Sequence, residues 1–101
     1  MSTKKERDFQ KELIIELKNL FKGCMVMKLD PDYIQGIPDL LILYKNKWAT
    51  LECKKDPTAS IRPNQKHYVD LMNKMSFSRF ISPENKEEVL DELARSFKFK
   101  K

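Results

Sequence analysis

Apolar residues recur at Phe9, Leu13, Ile14, Leu17, Leu20 and Phe21. That spacing predicts an amphipathic helix over residues 4–22, and Gly23 is well placed to terminate it. Residues 24–29 read as a strand, and 30–38, with two prolines and a glycine, as a loop. Leu40-Leu41-Ile42-Leu43-Tyr44 is a continuous apolar run, as expected for a strand buried on both faces. The run ending at Lys54 alternates instead: Thr50, Glu52 and Lys54 take one face, while Ala49, Leu51 and Cys53 take the other. Pro63 suits the first turn of a second helix, to about residue 75. A short strand over 77–81 follows. Ser82-Pro83 is then expected to cap and start a third helix to about residue 97, carried by Val89, Leu90, Leu93, Ala94 and Phe97. The order αβββαβα implies an α/β domain, a mixed sheet flanked by helices, over residues 1–101.

The register of the central hairpin decides what its polar residues can do. Strands over 39–44 and 47–54 leave Lys45-Asn46 as the turn. If Tyr44 pairs with Lys47, Asp39 lies opposite Glu52, with Cβ atoms roughly 5 Å apart. A three-residue loop would oppose Asp39 to Cys53 instead, and Lys-Asn is not the preferred Asn-Gly.

Glu-x-Lys occurs three times: Glu16-Leu17-Lys18, Glu52-Cys53-Lys54 and Glu84-Asn85-Lys86. The first and third fall in helical patterns, where i and i+2 diverge. Only the second lies on a strand, where Glu52 and Lys54 share a face. Two opposed carboxylates suit Mg²⁺, a hard cation that takes oxygen ligands. Such an ion activates water and offsets charge on a phosphate, and the Lys54 ammonium can orient or help deprotonate that water. The competing reading is a surface pair, Glu52–Lys54, on an edge strand, with Asp39 a turn residue after Pro38. Glu6, Glu12 and Glu16 compete for a third carboxylate. Glu6 lies one turn before Phe9 on the buried stripe, but a Glu near a helix start also suits the helix dipole.

Composition narrows the partners. Twenty basic against fifteen acidic residues give a net charge of +5, which suits a polyanion. Lys45, Lys47, Lys54, Lys55, Arg62 and Lys66 flank the motif; Tyr33 and Arg62 lie on loops where they can stack on bases or contact phosphates. Two scattered cysteines and one histidine give no zinc spacing, and Cys24 and Cys53 read as small apolar residues. Met25, Met27, Met72 and Met75 read as core fillers, and His67 as a surface or packing residue, there being no Ser or Cys nucleophile paired with it. No apolar run approaches a membrane span. The residues from Met1 to Lys5 hold no signal-type segment, so a cytoplasmic location is expected.

Pro38-Asp39 and Glu52-Cys53-Lys54 together resemble the signature of the PD-(D/E)xK nuclease superfamily. The closer likeness is to its virus-type replication-repair nuclease family (VRR-NUC), through Glu6-Arg7-Asp8-Phe9-Gln10, Gly36-Ile37-Pro38-Asp39-Leu40, Glu52-Cys53-Lys54 and Gln65. The likeness spans about residues 4–82. Residues 55–64 depart from it, holding Asp56-Pro57-Thr58-Ala59-Ser60-Ile61 where the family often has Gly and Leu-Ser. The resemblance implies a restriction-endonuclease-like core and an Mg²⁺-dependent DNA endonuclease, with Mn²⁺ as substitute. It implies metal binding by Asp39, Glu52, the Cys53 main-chain carbonyl and Glu6. It also gives Lys54 and Gln65 roles in the site, although Gln65 alone reads equally as a helix cap. DNA contacts are expected from Lys55, Arg62, Lys66 and Tyr33. The size is that of standalone phage-encoded members, which implies branched or four-way DNA as substrate and the host cytoplasm as location. Neither a membrane nor a nucleotide cofactor is expected. A two-fold homodimer is expected, with the third helix and Phe97-Lys98-Phe99 as interface material unless these residues close the monomer core. The competing functions are a catalytically silent nucleic-acid-binding module and a protein-interaction domain.

Overall fold

The computed structural model describes residues 4–98, and Phe99 and Met1–Thr3 lie outside that range. The chain runs α1 (Lys4–Leu20), β1 (Met25–Lys28), β2 (Leu40–Tyr44), β3 (Lys47–Cys53), α2 (Pro63–Met75), β4 (Ser78–Ile81) and α3 (Lys86–Ser96). The expected order αβββαβα therefore holds. The strands lie in the order β1-β2-β3-β4, antiparallel across the first two pairings and parallel between β3 and β4.

Tyr44 pairs with Lys47 and Leu40 with Leu51, so the turn is the two-residue Lys45-Asn46. Lys45 takes a left-handed backbone, φ 57°. Asn46 does not, so positive φ falls on the first turn residue alone, as in a type II′ turn rather than the type I′ turn that Asn-Gly closes.

One sheet face holds Leu40, Ile42, Tyr44, Ala49, Leu51, Cys53 and Ile81. It packs on Leu13, Leu17 and Phe21 from α1 and its C-terminal turn, and on Leu90, Leu93 and Phe97 from α3. Phe21, Tyr44 and Phe97 form a triad with ring centroids 5.3–5.5 Å apart. The apolar residues of α3 are thus used up inside the monomer core, and they offer no interface.

The other face carries Thr50 and Glu52 and is covered by α2, which packs mainly over β3 and β4. The Thr50 hydroxyl donates to Ser78 Oγ at 2.7 Å and lies 3.5 Å from the Met72 sulfur. The β1–β2 strip of this face has no helix above it, so Met25 and Met27 stay exposed; Met75, on the flank of α2, does too. The expectation that these methionines fill the core is corrected; only Met72 is half-buried. No described helix is long and apolar enough to cross a membrane.

The third helix also starts later than its pattern suggests. Residues 83–85 form a turn. There Asn85 Oδ1 accepts the Ser82 N–H at 2.7 Å, and Asn85 Nδ2 donates to the Phe80 carbonyl at 3.2 Å. This side chain ties residues 80–82 to the turn, and Glu84 lies in the turn rather than in the helix.

Candidate metal and phosphodiester site

Asp39 enters the sheet at the start of β2, and Glu52 lies near the end of β3. The observed register places them as the next opposed pair beyond Leu40 and Leu51. Asp39 Oδ2 accepts the Cys53 N–H at 2.9 Å, which ties the carboxylate to β3. Because β3 lies between β2 and β4, the reading of Glu52 and Lys54 as a surface pair on an edge strand is ruled out: they are 4% and 9% exposed.

Gln65 organises the second half of the site. Its Oε1 accepts Lys54 Nζ at 2.9 Å and the Arg62 N–H at 3.1 Å, and its Nε2 donates to Glu52 Oε2 at 3.3 Å. It is therefore both the helix cap and a site residue. Lys54 Nζ also donates to the Ser60 carbonyl at 3.1 Å and lies 3.7 Å from Glu52 Oε2. Glu52 Oε1 has no hydrogen-bond partner and is fully buried. A carboxylate oxygen left in that state is costly unless something neutralises it.

The electrostatics follow from this crowding. Burial, then the Asp39 charge, pushes the Glu52 carboxyl up to about 8, against the pull of Lys54. Burial also raises Asp39, opposed by its bond from the Cys53 N–H and by Lys54. Glu6 is raised by burial and by Asp39, with Lys54 and Lys55 acting in the other direction. Burial pushes the Cys53 thiol far up, consistent with an inert core residue.

These groups line a cavity of about 450 Å³ containing Glu6, Asp39, Glu52, Lys54, Arg62 and Gln65. Of the helix-1 carboxylates, Glu6 alone reaches it. Glu16 instead bonds Lys86 at 2.8 Å, joining α1 to α3, and Glu12 is exposed. Among the described residues no three His, Cys, Asp or Glu side chains close into a ready metal cluster. The donor set is two opposed carboxylates with Glu6 at the cavity wall. Mg²⁺ is commonly held by one or two carboxylates, its other positions going to water and substrate phosphate, so the oxygen chemistry fits.

The expected DNA contacts divide. Arg62 is in the cavity, and Lys55 is close enough to act on Glu6. Tyr33 is 85% exposed on the loop that supplies the cavity rim. Lys66 points elsewhere, paired with Asp70 at 2.6 Å beside a second groove between α2 and β4. His67 stacks edge-on against Tyr68 and is exposed.

Two features escaped the sequence. The Ser60 carbonyl that holds Lys54 is a backbone group and leaves no residue signature. Gly36 sits at φ +91°, and a Cβ there would lie 2.6 Å from Asn64 Cγ and 2.9 Å from the Asn64 carbonyl carbon. This close approach locks the 30–38 loop to the start of α2, and only the glycine itself hinted at it.

No family model matches this chain, and no curated protein is significantly similar to it.

Proposed function

We propose that this chain is an Mg²⁺-dependent DNA endonuclease of the PD-(D/E)xK type, nearest to the virus-type replication-repair nucleases. One observation carries the reading. Asp39, Glu52, Lys54 and Gln65 converge in one cavity, and Glu52 Oε1 is buried there without a partner. An oxygen buried in that state is costly unless a proton or a cation neutralises it.

Asp39 and Glu52 would hold the cation, with Glu6 and the Cys53 carbonyl as further oxygen donors. When bound, the ion supplies Lewis acidity for water activation and charge neutralisation at phosphorus. Lys54, its ammonium held by the Ser60 carbonyl and Gln65 beside Glu52, would direct an N–H at the attacking water or a phosphate oxygen. Gln65 keeps Lys54 and Glu52 in register with each other. Water oxygen bonds to phosphorus, the bond to the leaving oxygen breaks, and that oxygen takes a proton. One hydroxyl end and one phosphate end result. Arg62, Lys55 and Tyr33 flank the path of the strand. Coordinated cutting of branched DNA calls for two sites facing opposite strands, so the working unit is a two-fold homodimer.

The test is cleavage of labelled duplex, single-stranded, flap and four-way DNA with Mg²⁺, with Mn²⁺ and with chelator. Asp39→Ala, Glu52→Ala and Lys54→Ala lose cutting, whereas Glu84→Ala, in the turn before α3, cuts normally. Metal-independent binding without cleavage of any substrate would overturn the reading.

A further inference from the structure

The sequence puts Lys66 among the DNA contacts, yet it lies beside a second cavity, a groove of about 390 Å³ between α2 and β4. Ile61, Val69 and Phe80 are its apolar walls, and Lys66, Asp70 and Asn73 lie at its polar rim. Val69 and Phe80 stand apart from the core cluster that joins the sheet to α1 and α3. Phe80 is half-buried, and among the described residues no ring stacks on it. Ile61 is 48% exposed.

The groove adjoins the candidate site. Phe80 is the cross-strand partner of Glu52, so the two share a face of the sheet. Ile61 sits between Ser60, whose carbonyl holds Lys54, and Arg62, which lines the first cavity. The two cavities thus flank the segment over residues 60–65. From Arg62 to Lys66 is one turn of helix, about 6 Å along the axis, a step that one nucleotide of an extended strand spans. The Lys66–Asp70 pair does not oppose this use. Both side chains are more than half exposed, and such a pair is weak enough to yield Lys66 to a phosphate.

Asn73 decides what the groove can recognise. Its Oδ1 accepts the Ser78 N–H at 3.2 Å and an N–H of the Arg79 guanidinium. The amide orientation is therefore set, and Nδ2 is left to donate. Arg79 is itself held by Glu92 at 3.2 Å and lies over the Phe77 ring, 4.3 Å from its centroid, so it belongs to the wall. An apolar slot with one aromatic side and a fixed amide donor suits a flat heteroaromatic ring with acceptors on its edge.

We propose that the α2–β4 groove takes one unpaired nucleobase of the bound DNA strand, stacked on Phe80 against Ile61, beside the phosphate at the catalytic cavity. The inference rests on the nuclease reading and narrows its substrate. A paired base cannot enter, so the strand must offer an unstacked nucleotide next to the cut, as single-stranded DNA, a flap or a branch point does at least cost.

Fluorescence anisotropy in chelator, where nothing is cut, compares a short labelled oligothymidylate with an abasic strand of the same length. Oligothymidylate should bind about 10-fold tighter, the worth of one base stacked on an aromatic ring. Phe80→Leu, and Ile61→Ala at an exposed loop position, should remove that margin and leave the affinity for the abasic strand unchanged. Lys66→Ala should weaken both strands alike, and Leu71→Ala, outside the groove, neither. With 5-iodouracil in the strand, ultraviolet light should cross-link wild-type protein at Phe80, which reads the contact without a substitution. Equal affinity for the two strands, no binding of either, a margin that survives both Phe80→Leu and Ile61→Ala, or cross-links confined to other residues would each overturn the proposal. Cleavage with Mg²⁺ is scored separately. Cutting without the base margin removes the groove alone, whereas the margin without cutting removes the nuclease reading alone.

Discussion

Replacing Glu52 with Gln tests the site through stability rather than turnover. In the fold the carboxyl titrates at about 8 against 4.5 for a free Glu, chiefly because it is buried and beside Asp39. A raised carboxyl contributes stability that is fully present below the unfolded pKa, about 4.5, and is lost as pH rises through about 8. At 1.36 kcal/mol per unit, that interval sets a ceiling of about 5 kcal/mol. The Glu52→Gln side chain carries no such penalty. Its amide NH₂ would occupy the place of Oε1, which lacks a partner, at a cost of about 1–2 kcal/mol. The Gln variant is therefore expected to be equal to or slightly weaker than wild type at pH 5, and about 3 kcal/mol more stable at pH 9. Urea unfolding in chelator across that range reads the difference. Adding Mg²⁺ should raise the wild-type midpoint at pH 8 and leave the variant unmoved, since a ligand stabilises only the state that binds it. Parallel pH profiles for the two proteins would refute the argument that Glu52 is a strained, cation-seeking carboxylate.

Gln65→Ala should cut cleavage by roughly 100-fold while leaving metal affinity nearly intact, because it releases Lys54 from one of its two acceptors; single-turnover kinetics beside a metal titration separates the two effects. Gly36→Ala should cost about 2–4 kcal/mol and impair cleavage, combining left-handed strain with overpacking against Asn64. Gly23→Ala, at φ +89° in open space, should cost only about 1 kcal/mol and cut normally; thermal unfolding of the pair compares them. Binding to duplex DNA should weaken linearly in log salt, and Arg62→Ala should flatten the slope by about one phosphate contact. Lys66→Ala should flatten it less, because Lys66 is paired with Asp70.

Much of this site was legible because it lies on a hairpin, where alternation and a two-residue turn fix which residues oppose which. The pairing of Tyr44 with Lys47 carried Asp39 to Glu52 without any long-range information. The flanking helices were legible where an apolar stripe ran through a turn, as at Leu13 and Leu17. What was hidden depended on where layers stop. Nothing local says that α2 covers β3 and β4 but not β1 and β2, so exposed Met25 and Met27 read as core. The same blindness made α3 look like spare interface, though Leu90, Leu93 and Phe97 close the core against β-sheet and α1. Backbone partners such as the Ser60 carbonyl were invisible because any residue supplies one.

The parallel pairing of β3 with β4 has a kinetic consequence. Asp39 and Glu52 meet through a local hairpin, whereas Gln65 and the cover over Glu52 arrive only when the α2 crossover docks and β4 joins the sheet. The two carboxylates can thus come together while still in water, and Glu52 is buried only when that cover arrives. A partly folded chain would hold the acidic pair but neither the anchored lysine nor the cover over Glu52, so the proposed cleavage would report completion of the whole fold. Mg²⁺ should then act mainly on the exit from the native state, slowing unfolding more than it speeds folding.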